Sequence, residues 1–146
     1  MRLSAKGEYA IKAMLDLAVH GGDGLQPIQE IASRQGIPQR YLEQVLLQLK
    51  RGGMLASKRG SAGGYRLHRS PDEITVGEVL RAVEGAGDLE RGGRPRGVEA
   101  SHSDDLGDLW REIGEALSAV LDRVSFGDLK RRVEERRGAA RPMYHI

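Results

Sequence analysis

Cysteine is absent from the whole 146-residue sequence. Its absence excludes disulfides, thiol redox switching and any thiolate-held iron-sulfur cluster. Aromatic residues are scarce, at 4%, so a core built from the 39% hydrophobic content has to be aliphatic. A long apolar helix in so small a chain then needs a partner to cover it. Runs approaching the roughly 18 consecutive apolar residues of a membrane span are missing, and the N-terminus lacks a secretory apolar region, so a cytoplasmic protein is expected. The four histidines, His20, His68, His102 and His145, show no metal-ligand spacing and read as surface residues. No nucleophile elbow or other local catalytic signature occurs. Neither a metal nor a cofactor is expected, and the chain does not read as an enzyme.

What is present is an uneven distribution of charge. Residues 1–70 carry 11 Lys and Arg against 5 Asp and Glu, whereas residues 71–146 carry 12 against 16. A basic N-terminal half suits duplex phosphates, because neutralising them releases condensed counterions. The motif in that half agrees. Pro27 to Gln35 reads as a helix with Ile28, Ile31 and Ala32 on one face and Gly36 as its stop. Only Gly36 and Ile37 separate it from a second helix that opens at Pro38, carries Tyr41, Leu42, Val45, Leu46 and Leu49 at helical spacing, and ends at Lys50, Arg51, Gly52 and Gly53. Two short strand-like pieces follow, Met54 to Lys58 and Tyr65 to Leu67, around a glycine-rich cationic tip from Arg59 to Gly64. The glycines precede a strand rather than a helix, which disfavours nucleotide binding. The pattern is a winged helix-turn-helix.

The flanking segments complete a mainly α chain with a small β-hairpin. Ser4 to His20 reads as a helix with a broad apolar face that braces the motif, Ser4 being a fair N-cap. Arg2 and Lys6 beside it could reach a phosphate at the helix's positive end or simply be solvated. Thr75 and Glu78 form a capping box ahead of Val76, Val79, Leu80 and Val83, a helix that closes the core. Gly85 to Ser103 is rich in glycine and charge and reads as a mobile linker. From Asp104 to Ser125, residues Leu106, Trp110, Ile113, Leu117, Val120 and Val124 repeat at spacings of 4, 3, 4, 3 and 4. This heptad seam predicts a long dimerisation helix of about 30 Å, although packing within its own monomer would use the same stripe. The expected division is a DNA-binding domain at 1–84, a linker at 85–103, the dimerisation helix and a following helix at 104–137, and a tail at 138–146. A two-fold dimer presents two recognition helices to half-sites roughly 34 Å apart or a multiple of it, so its operator is a palindromic double-stranded DNA.

With these motifs in order, the chain resembles the Rrf-two family of bacterial winged-helix regulators. The resemblance is carried by MRLSAKGEYA, IPQRYLEQVLLQLKRGG, KRGSAGGYRL, ITVGEVLRAVEG and LWREIGEALSAVLDRVSFGDL, and it spans nearly the whole chain. It implies a dimeric transcription factor, usually a repressor, whose second motif helix enters the major groove and whose wing arginine enters the minor groove. Carried over by position, Gln39, Arg40, Tyr41, Glu43 and Gln44 lie at the DNA-facing start of the recognition helix, with Lys58, Arg59 and Gly60 on the wing. Arg can read guanine, Gln adenine and Glu cytosine, which suits that assignment. Tyr41 could equally be a core-edge residue and Glu43 an ordinary surface charge.

Cluster-binding members of the family carry three cysteines in the segment matching Gly85 to Ser103, and here there are none. The chain is similar instead to the family's cysteine-free repressors of cysteine metabolism, whose role implies joint action with the enzyme cysteine synthase. The final Met143, Tyr144, His145 and Ile146 offer that enzyme an apolar segment with a carboxylate, and Met143, Tyr144 and Ile146 are the candidate contacts. The same residues could pack on the dimer helix or fray. Two alternatives to a partnered repressor stay open. One is an interaction module that binds a metabolic enzyme through the tail with weak or no DNA binding. The other is a regulator that senses a small molecule.

Overall fold

The computed structural model describes residues 3–85, 87, 89, 91, 92, 94 and 105–140. The first helix, α1 (Ala5–Val19), starts where the Ser4 hydroxyl accepts the Gly7 N–H at 3.0 Å, satisfying one of the helix's otherwise unpaired donors. Its inner face is Ala10, Ala13, Met14, Leu17 and Ala18, all buried. Those small alanines let neighbouring helices approach closely, and α1 packs against each of the other three helices of the N-terminal unit and against the last helix of the chain. No helix among the described residues is long and apolar enough to cross a membrane.

Helix α2 (Ile28–Gln35) ends at Gly36, whose φ of 64° is a left-handed turn that a side chain would strain. Ile37 then turns inward, buried, with its N–H donating to the Ala32 carbonyl at 3.0 Å. Helix α3 (Gln39–Arg51) follows at once and buries Leu42, Val45, Leu46 and Leu49. Strands β1 (Leu55–Lys58) and β2 (Gly64–Leu67) form an antiparallel hairpin with Leu55 opposite Leu67 and Lys58 opposite Gly64. A short 3-10 turn at Pro71–Glu73 leads to α4 (Val76–Glu84), capped by Thr75, whose hydroxyl accepts the Glu78 N–H at 3.1 Å.

Helices α5 (Gly107–Arg123) and α6 (Phe126–Ala140) complete the chain. Their junction is stitched to the start of α4, since the Val76 N–H donates to the Val124 carbonyl and the Phe126 N–H to the Ile74 carbonyl, both at 2.9 Å. Phe126, the one phenylalanine, is fully buried in the same cluster as Met14, Leu42, Ile74 and Leu80. The core is otherwise aliphatic, as the composition requires.

Several local expectations differ from what the structure adopts. Pro27 and Pro38 are the N-caps of α2 and α3 rather than their first helical residues, with extended ψ values of 144° and 124°. The capping box at α4 is half made: the Glu78 carboxylate pairs with Arg69. The segment after α4 is not wholly detached, because Leu89 is 5% exposed within the core and the backbone of Gly92 lies against Trp110 and Gly114 of α5. Helix α5 is shorter than the heptad run, and Val124 falls beyond its end. Helix α6 continues through Gly138, Ala139 and Ala140, since two alanines favour propagation of an already formed helix.

Candidate nucleic-acid interface

The amphipathic pattern of α3 decides what it offers to solvent. Burial of Leu42, Val45, Leu46 and Leu49 leaves Arg40, Glu43, Gln44, Leu47 and Arg51 along the opposite stripe, with Gln39 and Arg40 at the start of the helix. Tyr41, at 37% exposure, stands between core and solvent. Its ring meets that of Tyr9 edge to face, with centroids 5.3 Å apart, so α1 fixes how the first turn of α3 is presented. Lys6 is half-buried near the start of α1.

The hairpin carries a second polar group of side chains. Lys58, Arg59 and Gly60 are exposed, and Arg66 on β2 extends the cationic surface. Gly60, with φ of 110°, makes the turn, and its carbonyl accepts the Gly63 N–H at 3.0 Å. The hairpin is tied to α3 where the Lys50 ammonium donates to the Ser57 hydroxyl at 2.7 Å. The sequence marks Lys50 and Arg51 only as the cationic end of the helix and does not mark Arg66 at all, so none of the three is among its candidate contacts. For Arg51 the signal was available, because it lies eleven residues, about three helical turns, beyond Arg40 on the same stripe.

Cations in this chain divide by partner. Arg34, Arg69, Arg81 and Arg131 are each engaged by carboxylates of the fold. Hydrogen bonds donated by Arg81 hold the Asp122 carboxyl below its ordinary value, while those that Asp16 accepts from Arg34 hold the Arg34 guanidinium above its own. The backbone N–H of Ser125 and the Arg131 guanidinium likewise lower Asp128. By contrast, Arg40, Arg51, Lys58, Arg59 and Arg66 make no side-chain hydrogen bond or ion pair among the described residues. Their charge is left for an external anion, which is what phosphate contact and base-edge readout require.

This helix-turn-helix and hairpin match a known family model, described as an iron-dependent transcriptional regulator and named Rrf2, over residues 3–132. The chain belongs to the Rrf2 family. It is 42% identical over 129 residues to the HTH-type transcriptional regulator IscR of Aliivibrio salmonicida, covering 88% of this chain and 77% of that protein. The corresponding regulator of Yersinia pestis is 40% identical over 129 residues, covering 88% and 79%. Among solved structures, the chain is similar to CymR, the global cysteine regulator of B. subtilis, with 33% identity and a TM-score of 0.77 over 90% of this chain and 98% of that one. T. potens IscR is also 33% identical, with a TM-score of 0.79 over 99% and 94%. This Rrf2 member is thus a DNA-binding transcriptional regulator of the IscR and CymR type rather than an enzyme, and its fold is the winged helix-turn-helix.

Iron in the family model's description raises the question of a cluster. The donor set of this chain does not fit one held by thiolates, since it contains no cysteine. Nor do any three His, Asp or Glu side chains converge as a metal site among the described residues. Helix α5 and its N-cap Leu106 expose Leu106, Leu109 and Val120 by 52%, 46% and 48%, and Trp110, Ile113 and Leu117 are half-buried beside them. Val124 and Leu121 pack against the monomer's own core. His20, expected at the surface, is half-buried, 3.4 Å from Asp23 and 3.9 Å from Asp16. Arg2, His102, Met143, Tyr144, His145 and Ile146 lie outside the described residues.

Proposed function

We propose that the chain binds a palindromic operator as a homodimer and represses genes of sulfur and cysteine metabolism. Helix α3 enters the major groove, where Gln39, Arg40, Glu43 and Gln44 face base edges, and Lys58, Arg59 and Gly60 of the wing follow the adjacent minor groove. Tyr41 and Lys6, with Arg2, approach the flanking phosphates. The observation that carries this reading is the set of cations on α3 and the wing that no carboxylate among the described residues engages. The dimer uses the apolar stripe of α5, through Leu106, Trp110, Ile113, Leu117 and Val120, with Val124 at its inner edge. Support for the sulfur assignment comes from the likeness to CymR, whose name ties it to cysteine, together with a donor set that does not fit a thiolate cluster. On this reading cysteine synthase is the sensing partner and meets Met143, Tyr144 and Ile146.

Arg59→Ala and Arg131→Ala, compared in an operator titration, test the interface. Each removes one cation, but Arg131 is already engaged by Asp72 at 3.0 Å and Asp128 at 2.7 Å. Arg59→Ala should weaken binding by about 1 to 3 kcal/mol with the dimer intact, and Arg131→Ala should not. Equal losses would point to bulk charge alone. A small-molecule effector is a second variant, favoured by an open polar cleft of about 440 Å³ lined by His20, Asp23, Glu30, Arg34, Ser61 and Gly63. Operator affinity that changes with a small metabolite and not with the enzyme would select it.

A further inference from the structure

The wing is joined to the helix-turn-helix by more than its chain connections. Just before α2, Gln26 forms an isolated antiparallel bridge with Tyr65 of β2, its N–H donating to the Tyr65 carbonyl and its carbonyl accepting the Tyr65 N–H, both at 2.9 Å. Gly64 permits this approach, because a Cβ there would run into the Gln26 carbonyl. The Gln26 side chain is 5% exposed and points the other way, into a polar cluster beneath the motif. Its Oε1 accepts from Arg34 Nη2 at 2.8 Å. The same guanidinium donates twice to Asp16, from Nε at 2.9 Å and Nη2 at 2.8 Å, and Gln35 Nε2 donates to Asp16 Oδ1 at 3.0 Å.

A buried carboxylate is costly unless its acceptors are filled, and the Asp16 side chain is 1% exposed. Three donors fill it, from Arg34 and Gln35 on α2, while Asp16 itself belongs to α1. The two-pronged pairing with the buried Asp16 carboxylate sets the orientation of the guanidinium, and that orientation fixes the Gln26 amide and with it the backbone that pairs with Tyr65. At Gly64 and Tyr65, just past the hairpin tip, the chain is therefore held to α1 and α2 rather than free to swing on its glycines.

We infer that Asp16, Arg34 and Gln26 form a positioning device that sets the angle of the wing against α3, and so places Arg59 on DNA. None of the three touches the nucleic acid, and each acts through the bridge to Tyr65. The inference rests on the proposed contact of Arg59 with the operator. It assigns a role in recognition to residues that hydropathy patterning hides, because each looks like an ordinary surface polar residue in the sequence.

Arg34→Ala would strand the Asp16 carboxylate and risks unfolding, so the informative variant is Gln26→Met, which keeps the backbone bridge and the side-chain volume. Gln26→Glu serves as the conservative control, since it retains an acceptor for Arg34. Operator affinity should fall by about 3- to 10-fold in Gln26→Met, the size of one hydrogen bond, with circular dichroism and dimer mass unchanged, and should stay near the parent value in Gln26→Glu. In the Arg59→Ala background, Gln26→Met should cause no further loss, because its route to DNA is gone. Additive losses, or no loss in Gln26→Met, would overturn the positioning role. If Arg59→Ala itself left affinity unchanged, the wing contact would fail and the device with it, an outcome that the single variants distinguish from additivity.

Discussion

At the scale of single residues, the side chains divide into those that pair within the fold and those that, on the proposed reading, meet DNA. Arg40 and Gln44 sit on the exposed stripe of α3 with no partner among the described residues. Gln44→Ala should reduce discrimination at one operator position by about 1 to 3 kcal/mol while sparing affinity for unrelated duplexes, measured by titrating single base-pair substitutions. Arg81 and Asp122 belong to the other set, paired at 2.6 and 3.0 Å between α4 and α5. Because the folded Asp122 carboxyl lies below its ordinary 3.8, the pair's stabilisation is present above that value and is lost as pH falls through the depressed one. The melting temperature of Asp122→Asn should therefore lie below that of the parent at neutral pH and converge with it in strong acid. A difference that persists at low pH would assign the effect to packing. Gly77 lies under this pair, where a Cβ would collide with the Asp122 carboxylate and displace it from Arg81.

At the scale of elements, caps and close approaches define the boundaries. Thr75→Ala removes the acceptor for the Glu78 N–H and should cost about 1 kcal/mol, read as a shift in the denaturation midpoint. Gly92 combines a φ of 59° with a Cβ position 2.7 Å from the Trp110 carbonyl oxygen. Gly92→Ala should release the segment from α5, seen as faster proteolysis there with the winged motif still folded. The helices, the turn at Gly36 and the hairpin were legible in the sequence because apolar period, proline and glycine act locally. The Ser4 and Thr75 caps were legible for the same reason. Long-range matters were not. The burial of Leu89 depends on where α5 runs, and the pairing of Glu78 with Arg69 depends on the chain's return after the wing. The cluster of Asp16, Arg34 and Gln26 joins positions up to 18 residues apart, a separation that no periodicity marks. Exposure along α3 was half legible: the buried positions were evident, but Tyr41 was split between core and surface until its contact with Tyr9 placed it at the edge.

At the scale of the whole molecule, the basic N-terminal half and the apolar stripe of α5 give the proposal its shape. With 17 residues, α5 is about 25 Å long, and the exposed Leu106, Leu109 and Val120 spread an apolar surface along it. Val120→Asp should convert a dimer to a monomer in sedimentation, and operator affinity should fall steeply because the second half-site is no longer bound in the same event. A monomer in the parent protein would remove the two-fold account of the operator. If two copies of α3 and the wing contact phosphates as proposed, binding should be strongly salt-dependent, since each neutralised phosphate releases counterions. The most direct measurement of the central claim is a titration of the purified protein against promoter fragments of sulfur-assimilation genes and a scrambled duplex at about 50 and 200 mM salt, with and without cysteine synthase. Tight binding to a promoter fragment over the scrambled duplex, weakened by salt and changed by the enzyme, is the predicted result. Equal binding to both duplexes at either salt concentration would contradict sequence-specific repression of these genes.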